Sequence, residues 1–374
     1  MEHLTCDFGS ACYPFYLGAD CHNELVDRLG LIGADRYFVI THGSLVSLGA
    51  GTLARALDRF APAHVLLHPE GEVGKRLSSV EDLIESAIRH GATRRSCIVA
   101  FGGGVTGNVA GMVAALAFRG LPLVHVPTTL LAMLDSVISL KQAVNASFGK
   151  NLIGAYYAPA MVLADTAYLR TVSAAHLRWG LAEVVKNALA IAPAQIPRLE
   201  RILDGPLDDA ALHALVRMGL DAKVSVMHDD AREKRRGLVL EYGHTIGHAI
   251  EHASHGRTSH GEAVALGMRA AAEIARSLTH LSDDDAAAHH RLIGRLNIAR
   301  CLPNRVTEAD VLRTITHDNK RGYLPHRPGA AAMVLLESLG RPHATDGLPL
   351  TYVPTALIER GVATLRQTAP VEAL

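Results

Sequence analysis

Glu241-Tyr-Gly-His-Thr-Ile-Gly-His-Ala-Ile-Glu-His252, followed by Ser259-His-Gly-Glu262, concentrates histidines and carboxylates in one short stretch. His244, His248 and His252 recur every fourth residue, so a helix would line them along one side. His260 opens a second apolar, helix-like run, Ala263 to Ile274. A histidine from each of two adjacent helices can close on one metal ion. A carboxylate from elsewhere can complete three protein ligands and leave a position open for water or substrate. The spacing is not the His-Glu-x-x-His of a zinc protease. The competing reading is a set of ordinary polar or core histidines in a chain that has 21 of them. Glu183 lies in Trp179-Gly-Leu-Ala-Glu-Val-Val-Lys186, an otherwise apolar helical stretch. A carboxylate there is either at the surface or buried with a partner, and a metal is the natural partner.

A second chemistry is signalled by Gly102-Gly-Gly-Val-Thr-Gly107, which follows a strand pattern and precedes a helical one. Glycines let backbone amides approach a pyrophosphate, and the helix N-terminus behind them favours negative charge. Gly103, Gly104, Val105, Thr106, Gly107 and Asn108 are therefore candidate cofactor contacts; turn glycines are the alternative. An acidic ribose ligand is expected about 20 residues further on, but the chain there reads Leu121-Pro-Leu-Val-His-Val126. The ribose must be held from elsewhere, and Glu72 and Lys75 in Glu70-Gly-Glu-Val-Gly-Lys75 are candidates. Thr128-Thr129, then Asp135 to Asn145, then Gly149-Lys-Asn151 form a further polar cluster. Its lysines, Lys141 and Lys150, suit phosphate contact or proton transfer if they lie on loops beside a cofactor. A solvated loop is the plainer alternative.

The elements that must position these residues fall into two halves. Tyr37–Thr41, His64–His68, Cys97–Phe101, Leu123–Val126 and Met161–Ala164 read as buried strands alternating with helices, which implies a parallel sheet covered on both faces. Ser78 or Ser79 is a candidate cap for a helix running to His90, with Glu81 and Asp82 in its first turn. After about Thr171 long Ala/Leu-rich helical stretches take over, at approximately 173–193, 207–230, 238–254 and 260–278. Ala332–Glu337 reads as a late hairpin element. A chain of 374 residues exceeds the size of most single cores, so two domains are expected, at 1–172 and 173–374.

Zero net charge argues against a surface that coats nucleic acid. Five cysteines without a CxxC pattern read as free thiols of a reducing compartment. MEHLTCDFGS has no apolar core of a signal peptide, and Val109–Phe118 is far shorter than the roughly 20 residues a bilayer span needs. The expectation is a cytoplasmic protein with no membrane or nucleic-acid partner.

Taken together, Gly102–Gly107, Val126-Pro-Thr-Thr129, Asp135 to Asn145, Gly149-Lys-Asn151, Glu183, Gly243-His-Thr-Ile-Gly-His248, His260-Gly-Glu262 and Asp318-Asn-Lys320 resemble the dehydroquinate synthase superfamily in motif order, over roughly residues 15 to 340. The resemblance implies an α/β, Rossmann-like NAD-binding N-terminal domain, a mostly α-helical metal-binding C-terminal domain, a metal between them, and a homodimer. Carried over residue by residue, it implies Zn or Co on Glu183, His244 and His260, with His248 beside the substrate rather than on the metal. It implies NAD contacts at Glu72 and Lys75, at Gly103 to Asn108, and at Thr128, Thr129 and Asp135. Ser139, Leu140, Lys141, Lys150 and Asn151 complete that set. One departure is His42, in Thr41-His-Gly-Ser44, where relatives commonly carry an Asp that contacts the adenosine end of NAD.

Val105-Thr-Gly-Asn108, Ser136-Val-Ile-Ser-Leu-Lys-Gln142 and Leu240-Glu-Tyr-Gly-His244 resemble a branch of sugar phosphate cyclases in aminoglycoside antibiotic biosynthesis. That branch implies D-glucose 6-phosphate as substrate. The hexose is oxidised at C4, loses phosphate by β-elimination, is re-reduced and closes by an aldol step. Lys141 would stabilise the developing charge at the C4 oxygen, and Glu241 is the candidate base for the C5 proton, with the departing phosphate as the alternative. Arg119, Lys186, Lys223 and Lys320 are further candidate contacts. The rival readings are a dehydroquinate synthase proper, a metal alcohol dehydrogenase, and a non-catalytic NAD- or sugar-phosphate-binding subunit.

Overall fold

The computed structural model describes residues 1–366 other than 148, 317 and 319. Asn319, quoted above within Asp318–Lys320, lies outside the described residues. The chain forms two compact units: residues 1–173 with 208–220, and residues 174–207 with 221 onward. The stretch 208–220, read above as part of the second half, groups with the first. Glu2 on the first strand shows why, meeting His213 at 2.8 Å and Arg217 at 2.6 Å.

The first unit is built on a seven-stranded sheet. In chain order its strands are β1 (Glu2–Asp7), β2 (Cys12–Gly18), β3 (Tyr37–Thr41), β4 (Ala63–Leu67), β5 (Cys97–Gly102), β6 (Leu123–Pro127) and, after a separate hairpin, β9 (Met161–Asp165). The spatial order is β1-β2-β9-β6-β5-β3-β4. Only β1 with β2 is antiparallel; every other ladder is parallel. β3, β5, β6 and β9 are buried throughout, which is why each reads as an unbroken apolar run. Alternate residues feed opposite faces. Tyr37, Val39, Val99 and Phe101 pack on one side, and Phe38, Ile40, Ile98 and Ala100 on the other.

The strand order reverses between β3 and β5, so the crevice beyond their carboxyl ends is where this class of sheet takes a ligand. β1 and β2 were not expected. β1 alternates polar and apolar residues, and β2 carries Pro14, a residue uncommon inside sheets. Pro14 stays ahead of the ladder with β9, which begins at Phe15.

Four helices cover this sheet, α1 (His22–Gly30), α3 (Gly51–Leu57), α4 (Leu77–Arg89) and α5 (Gly104–Leu116); α2 (Gly43–Leu45) is a single turn after β3. α4 corrects the expected cap: it starts at Leu77, no side chain caps it, and no acidic residue lies in its first turn. Ser78 and Ser79 are inside the helix. The polar cluster from Lys141 is corrected too. It is not a loop but an antiparallel hairpin of β7 (Lys141–Ala146) and β8 (Gly149–Tyr156), laid over α5. Gly111 permits the contact, since a Cβ there would sit 2.0 Å from Gln142 Oε1.

The second unit is helical, with α6 (Ala174–Ala190), α7 (Ile196–Leu203), the end of α8 (Asp209–Met227), α9 (His244–Ala253), α10 (His260–Leu278), α11 (Asp283–Arg295), α12 (Glu308–Ile315) and α13 (Thr355–Ala363). The late hairpin is also revised. Ala332–Glu337 spans two strands, β10 (Ala330–Met333) and β11 (Leu336–Ser338), which pair with different partners: β10 with β13 (Thr351–Pro354), β11 with β12 (Arg341–Pro342).

Candidate active site

In the second unit, α6, α9 and α10 converge. Their close approach rests on glycines. A Cβ at Gly261 of α10 would lie 2.1 Å from Trp179 O of α6, and one at Gly267 would lie 2.0 Å from Gly243 O at the start of α9. Gly243 itself has φ +77°, the left-handed turn that launches α9. Ser259 caps α10 through a capping box with Glu262. Each turn therefore leaves a histidine, His244 or His260, as the first residue of its helix.

Those two histidines meet the carboxylate of Glu183. His260 Nε2 is 3.4 Å and His244 Nε2 3.6 Å from Glu183 Oε1, and the three donor atoms lie within 4.8 Å of one another. A tetrahedral ion with bonds of about 2.1 Å sets its donors roughly 3.4 Å apart. Both outer ring nitrogens are engaged: His244 Nδ1 donates to Tyr242 O at 3.0 Å, and His260 Nδ1 lies 3.5 Å from Glu251 Oε2. An acceptor behind the ring fixes the tautomer and turns the Nε2 lone pair inward, as metal-ligating histidines require. Glu183 is fully buried, and neither carboxylate oxygen completes a hydrogen bond among the described residues.

Burial alone would push the Glu183 carboxyl up. Lys186, which forms an ion pair with it, and the two histidines outweigh burial and hold it well below the carboxylate range. Burial lowers His244. It would lower His260 as well, but Glu183 and Glu251 overcome it and raise that ring to about 10. A buried anion that gathers positive charge, with the Nε2 atoms of two histidines beside it, fits a divalent cation that would take the place of the proton on His260.

His248 is beside this triangle, with ring centroids 5.0 Å from His244 and 5.8 Å from His260, and burial drives its pKa down to about 3. His252 is exposed and takes no part. Glu241 is not on α9; it ends the preceding short 3-10 segment, Arg236–Glu241. Its Oε2 is 3.2 Å from the Nζ of buried Lys320, which also lies 3.0 Å from Asp318. Lys186 and Lys320 had been read as general contacts; the structure gives each a specific carboxylate partner. Lys186 follows Glu183 by three residues on α6, a spacing that sets the two on one face; the pairing of Lys320 with Glu241 depends on tertiary packing and has no signal in spacing.

In the first unit the glycine loop lies between β5 and α5, with Gly103 as N-cap. It meets the next loop closely: a Cβ at Gly103 would be 3.3 Å from Thr129 Cγ2, and one at Gly104 3.4 Å from Ser136 Oγ. Thr128 N donates to Gly102 O at 3.0 Å. Asp135 lies in a π-helical turn, Ala132–Ser136, directly after. Glu72, Lys75, Lys150 and Asn151 are also brought together. Lys75 Nζ donates to Asn151 Oδ1 at 2.6 Å, Asn145 Nδ2 donates to Glu72 Oε2 at 2.6 Å, and Lys150 lies 3.8 Å from Glu72.

Other sequence candidates hold the fold. Asn108 donates to Gly104 O and accepts from Ala143 N, tying α5 to the hairpin. Ser139 Oγ accepts from Lys141 N, Leu140 is a core side chain, and Val105 packs on the core. In its own chain Arg119 follows the far end of α5, about 20 Å of helix from Gly104.

A dinucleotide-type sheet and a helical unit carrying a His/His/Glu donor set define the class. The family model described as 3-dehydroquinate synthase N-terminal matches residues 65–179, and the C-terminal one matches 180–321. The chain belongs to the dehydroquinate synthase family, in its 2-deoxy-scyllo-inosose synthase branch. It is 51% identical to the 2-deoxy-scyllo-inosose synthase of Streptomyces paromomycinus, over 96% of this chain and 93% of that one. It is 50% identical to that of Streptomyces ribosidificus, over 94% and 91%. A crystal structure of a 2-deoxy-scyllo-inosose synthase complexed with carbaglucose-6-phosphate, NAD+ and Co2+ superposes with a TM-score of 0.88 at 35% identity, covering 97% of this chain and 99% of the other.

Proposed function

We propose that this protein converts D-glucose 6-phosphate to 2-deoxy-scyllo-inosose and phosphate, a step towards 2-deoxystreptamine aminoglycosides. The observation that carries the reading is the full-length likeness to enzymes of that name, joined to a structural relative that holds a glucose 6-phosphate analogue, NAD+ and Co2+. In this assignment residues 1–172 take NAD and residues 173–374 take a Zn or Co ion on Glu183, His244 and His260. When bound, NAD+ supplies a reversible oxidant for the C4 carbinol and the ion supplies Lewis acidity at its oxygen.

The chain's own side chains then divide the proton work. Lys141 as the neutral amine takes the C4 hydroxyl proton on oxidation and, as the resulting ammonium, gives it back to the C4 oxygen on re-reduction. Glu241 takes the C5 proton, made acidic by the C4 ketone, while its contact with Lys320 fixes the carboxylate. The C6–O bond breaks and phosphate leaves with that electron pair. C4 is then reduced again, the ring opens, and C6 attacks C1 to close the carbocycle. No net oxidation occurs, so NADH does not accumulate.

Gly237 supports a substrate without a carboxylate. Dehydroquinate synthases place an Arg clamp seven residues before the first histidine ligand, which is the position of Gly237. A Cβ at Gly237 would already lie 3.0 Å from Asp230 Oδ2 and 3.2 Å from Glu233. Asp230 is committed to the amides of Lys234, Arg235 and Gly237. A side chain at 237 would press on both Asp230 and Glu233, and Arg235 and Arg236 are exposed.

Among the described residues no helix is long and apolar enough to cross a membrane. Five free cysteines suit the cytoplasm, and a homodimer with no nucleic-acid or membrane partner completes the proposal. The deciding experiment incubates the protein with NAD+, metal and either glucose 6-phosphate or the shikimate-pathway heptulosonate phosphate. Carbocycle and phosphate from the hexose alone, without growth of the NADH band, is the expected result. Conversion of the heptulosonate to dehydroquinate would overturn it.

A further inference from the structure

Tyr242 and Gly243 are all that separates Glu241 from His244. The main chain of Tyr242 serves both neighbours. Its amide donates to Val239 O at 3.0 Å, which closes the short segment that ends at Glu241. Its carbonyl accepts from His244 Nδ1 at 3.0 Å, which sets that ring's tautomer. Directly after it the chain turns through Gly243, at φ +77°, into α9. Whatever fixes Tyr242 therefore fixes the place of Glu241 and of His244 together.

The Tyr242 side chain is the anchor. It is fully buried, and a buried phenol needs a hydrogen-bond partner. His289 of α11, also fully buried, supplies it: Tyr242 Oη is 2.7 Å from His289 Nε2. The direction of that bond is set from behind. His289 Nδ1 is 2.7 Å from Asp285 O, and a carbonyl can only accept. Burial drives the ring's pKa down to about 4, so near pH 7 its one proton is on Nδ1 and Nε2 is left to accept from the phenol. Packing alone does not explain the pair. Phenylalanine at 242 would fill nearly the same space, and an apolar residue at 289 would bury with less desolvation than an imidazole. What two polar groups add in an apolar core is a fixed direction and distance.

We propose that Tyr242 and His289 are positioning residues, which act through the turn at 242–243 to hold Glu241 and His244 in register with each other. The inference rests on the base and metal roles proposed above. Neither residue is one of the metal donors or the base; α11 fixes the spacing between them through the phenol.

The test uses the full-length protein with Co2+ and NAD+, as wild type, Tyr242→Phe, His289→Gln, His289→Leu and the double variant Tyr242→Phe/His289→Leu. All are measured well below their melting temperatures. The readouts are the visible bands of bound Co2+, Co2+ affinity by chelator competition, and kcat and KM for glucose 6-phosphate. Tyr242→Phe and His289→Leu should shift the cobalt bands and weaken Co2+ binding about tenfold. Each should lower kcat about tenfold with KM within about threefold. His289→Gln, whose amide oxygen can accept from the phenol, should bring kcat back to within about threefold of the wild type. The double variant strands no buried polar group, so it should regain the melting temperature lost by His289→Leu and yet keep the low kcat. Wild-type cobalt bands and kcat in Tyr242→Phe, or recovery of kcat along with stability in the double variant, overturn the positioning role and leave the base and metal readings standing. A wild type that binds no Co2+ and does not turn over the hexose overturns those readings and the positioning role together.

Discussion

Asn108 on α5 and Glu183 on α6 are both polar residues on apolar helices, and the chain treats them in opposite ways. Asn108 spends both ends of its amide within the fold, on Gly104 O and Ala143 N. Glu183 is fully buried, completes no hydrogen bond among the described residues, and is held by the charge of Lys186 instead. The same contrast runs through their surroundings. In the first unit Glu72, Lys75, Asn145 and Asn151 bond to one another and stiffen the loop edge. A stiff edge offers its ligand backbone amides and an open crevice. In the second unit Glu183 meets Lys186 and the rings of His244 and His260, an inward gathering of charge and donors that a divalent cation fits. The lesson is that a motif residue can serve by holding the site's shape as readily as by touching the ligand, and hydrogen-bond satisfaction tells the two apart.

The largest effect that would sharpen this contrast is on the metal. His260→Ala should lower bound metal to under about a tenth of the wild-type content and cut turnover by at least about 10³-fold. NAD+ affinity should change by less than about threefold. Metal analysis beside a turnover assay reads both, and full activity in a verified metal-free sample would break the assignment. Glu241→Gln keeps shape and loses the base. It should reduce kcat by about 10²-fold with KM within about threefold; steady-state kinetics showing the reverse split would remove Glu241 from the chemistry.

Two buried histidines extend the comparison to pH. Burial lowers His125 of β6 to about 4 and His289 of α11 to about 4. In each the native ring is neutral, so the unfolded chain takes up the proton first. The stabilisation is present above the unfolded value of about 6.5 and is lost as pH falls through 4, up to about 3 kcal/mol for each ring. The rings differ in partners. His289 bonds Tyr242 Oη at 2.7 Å and Asp285 O at 2.7 Å, whereas His125 has no partner among the described residues. His125→Leu should therefore flatten the acid limb of stability with little loss at pH 7. His289→Leu should lose about 1–3 kcal/mol at pH 7, because it strands the Tyr242 hydroxyl. Melting curves at pH 7 and pH 5 compare them, and equal losses at pH 7 would break the distinction. The smallest effect expected is from Asn108→Ala. It should destabilise the first unit by about 1–2 kcal/mol, seen as a lower melting temperature, with NAD+ affinity changed by less than about threefold. A large loss of affinity with no loss of stability would return Asn108 to the cofactor.

The parallel core was legible because four of its strands are buried on both faces and read as plain apolar runs. β1 and β2 were hidden by polar alternation and by Pro14. The hairpin from Lys141 was hidden because Asn and Gly residues favour turns in isolation, and only packing on α5 makes strands of them. The meeting of His244 with His260 was legible from helical periodicity and from the apolar run that His260 opens, whereas the Ser259–Glu262 cap emerged only from the structure. His252 fell away because α9 presents that position to solvent.

The glycine seam has a consequence for how such a metal centre changes over time. At Gly261 and Gly267 the neighbouring backbone leaves no space even for a methyl group, and backbone cannot rotate aside as a side chain can. The routes by which mutation could widen or tilt the donor triangle through its scaffold are closed one substitution at a time. Variation in this centre is thereby channelled into the donors and the residues behind them, such as Glu251 and Lys186. A change of metal preference is more accessible to this chain by altering charge around a fixed triangle than by reshaping the triangle itself.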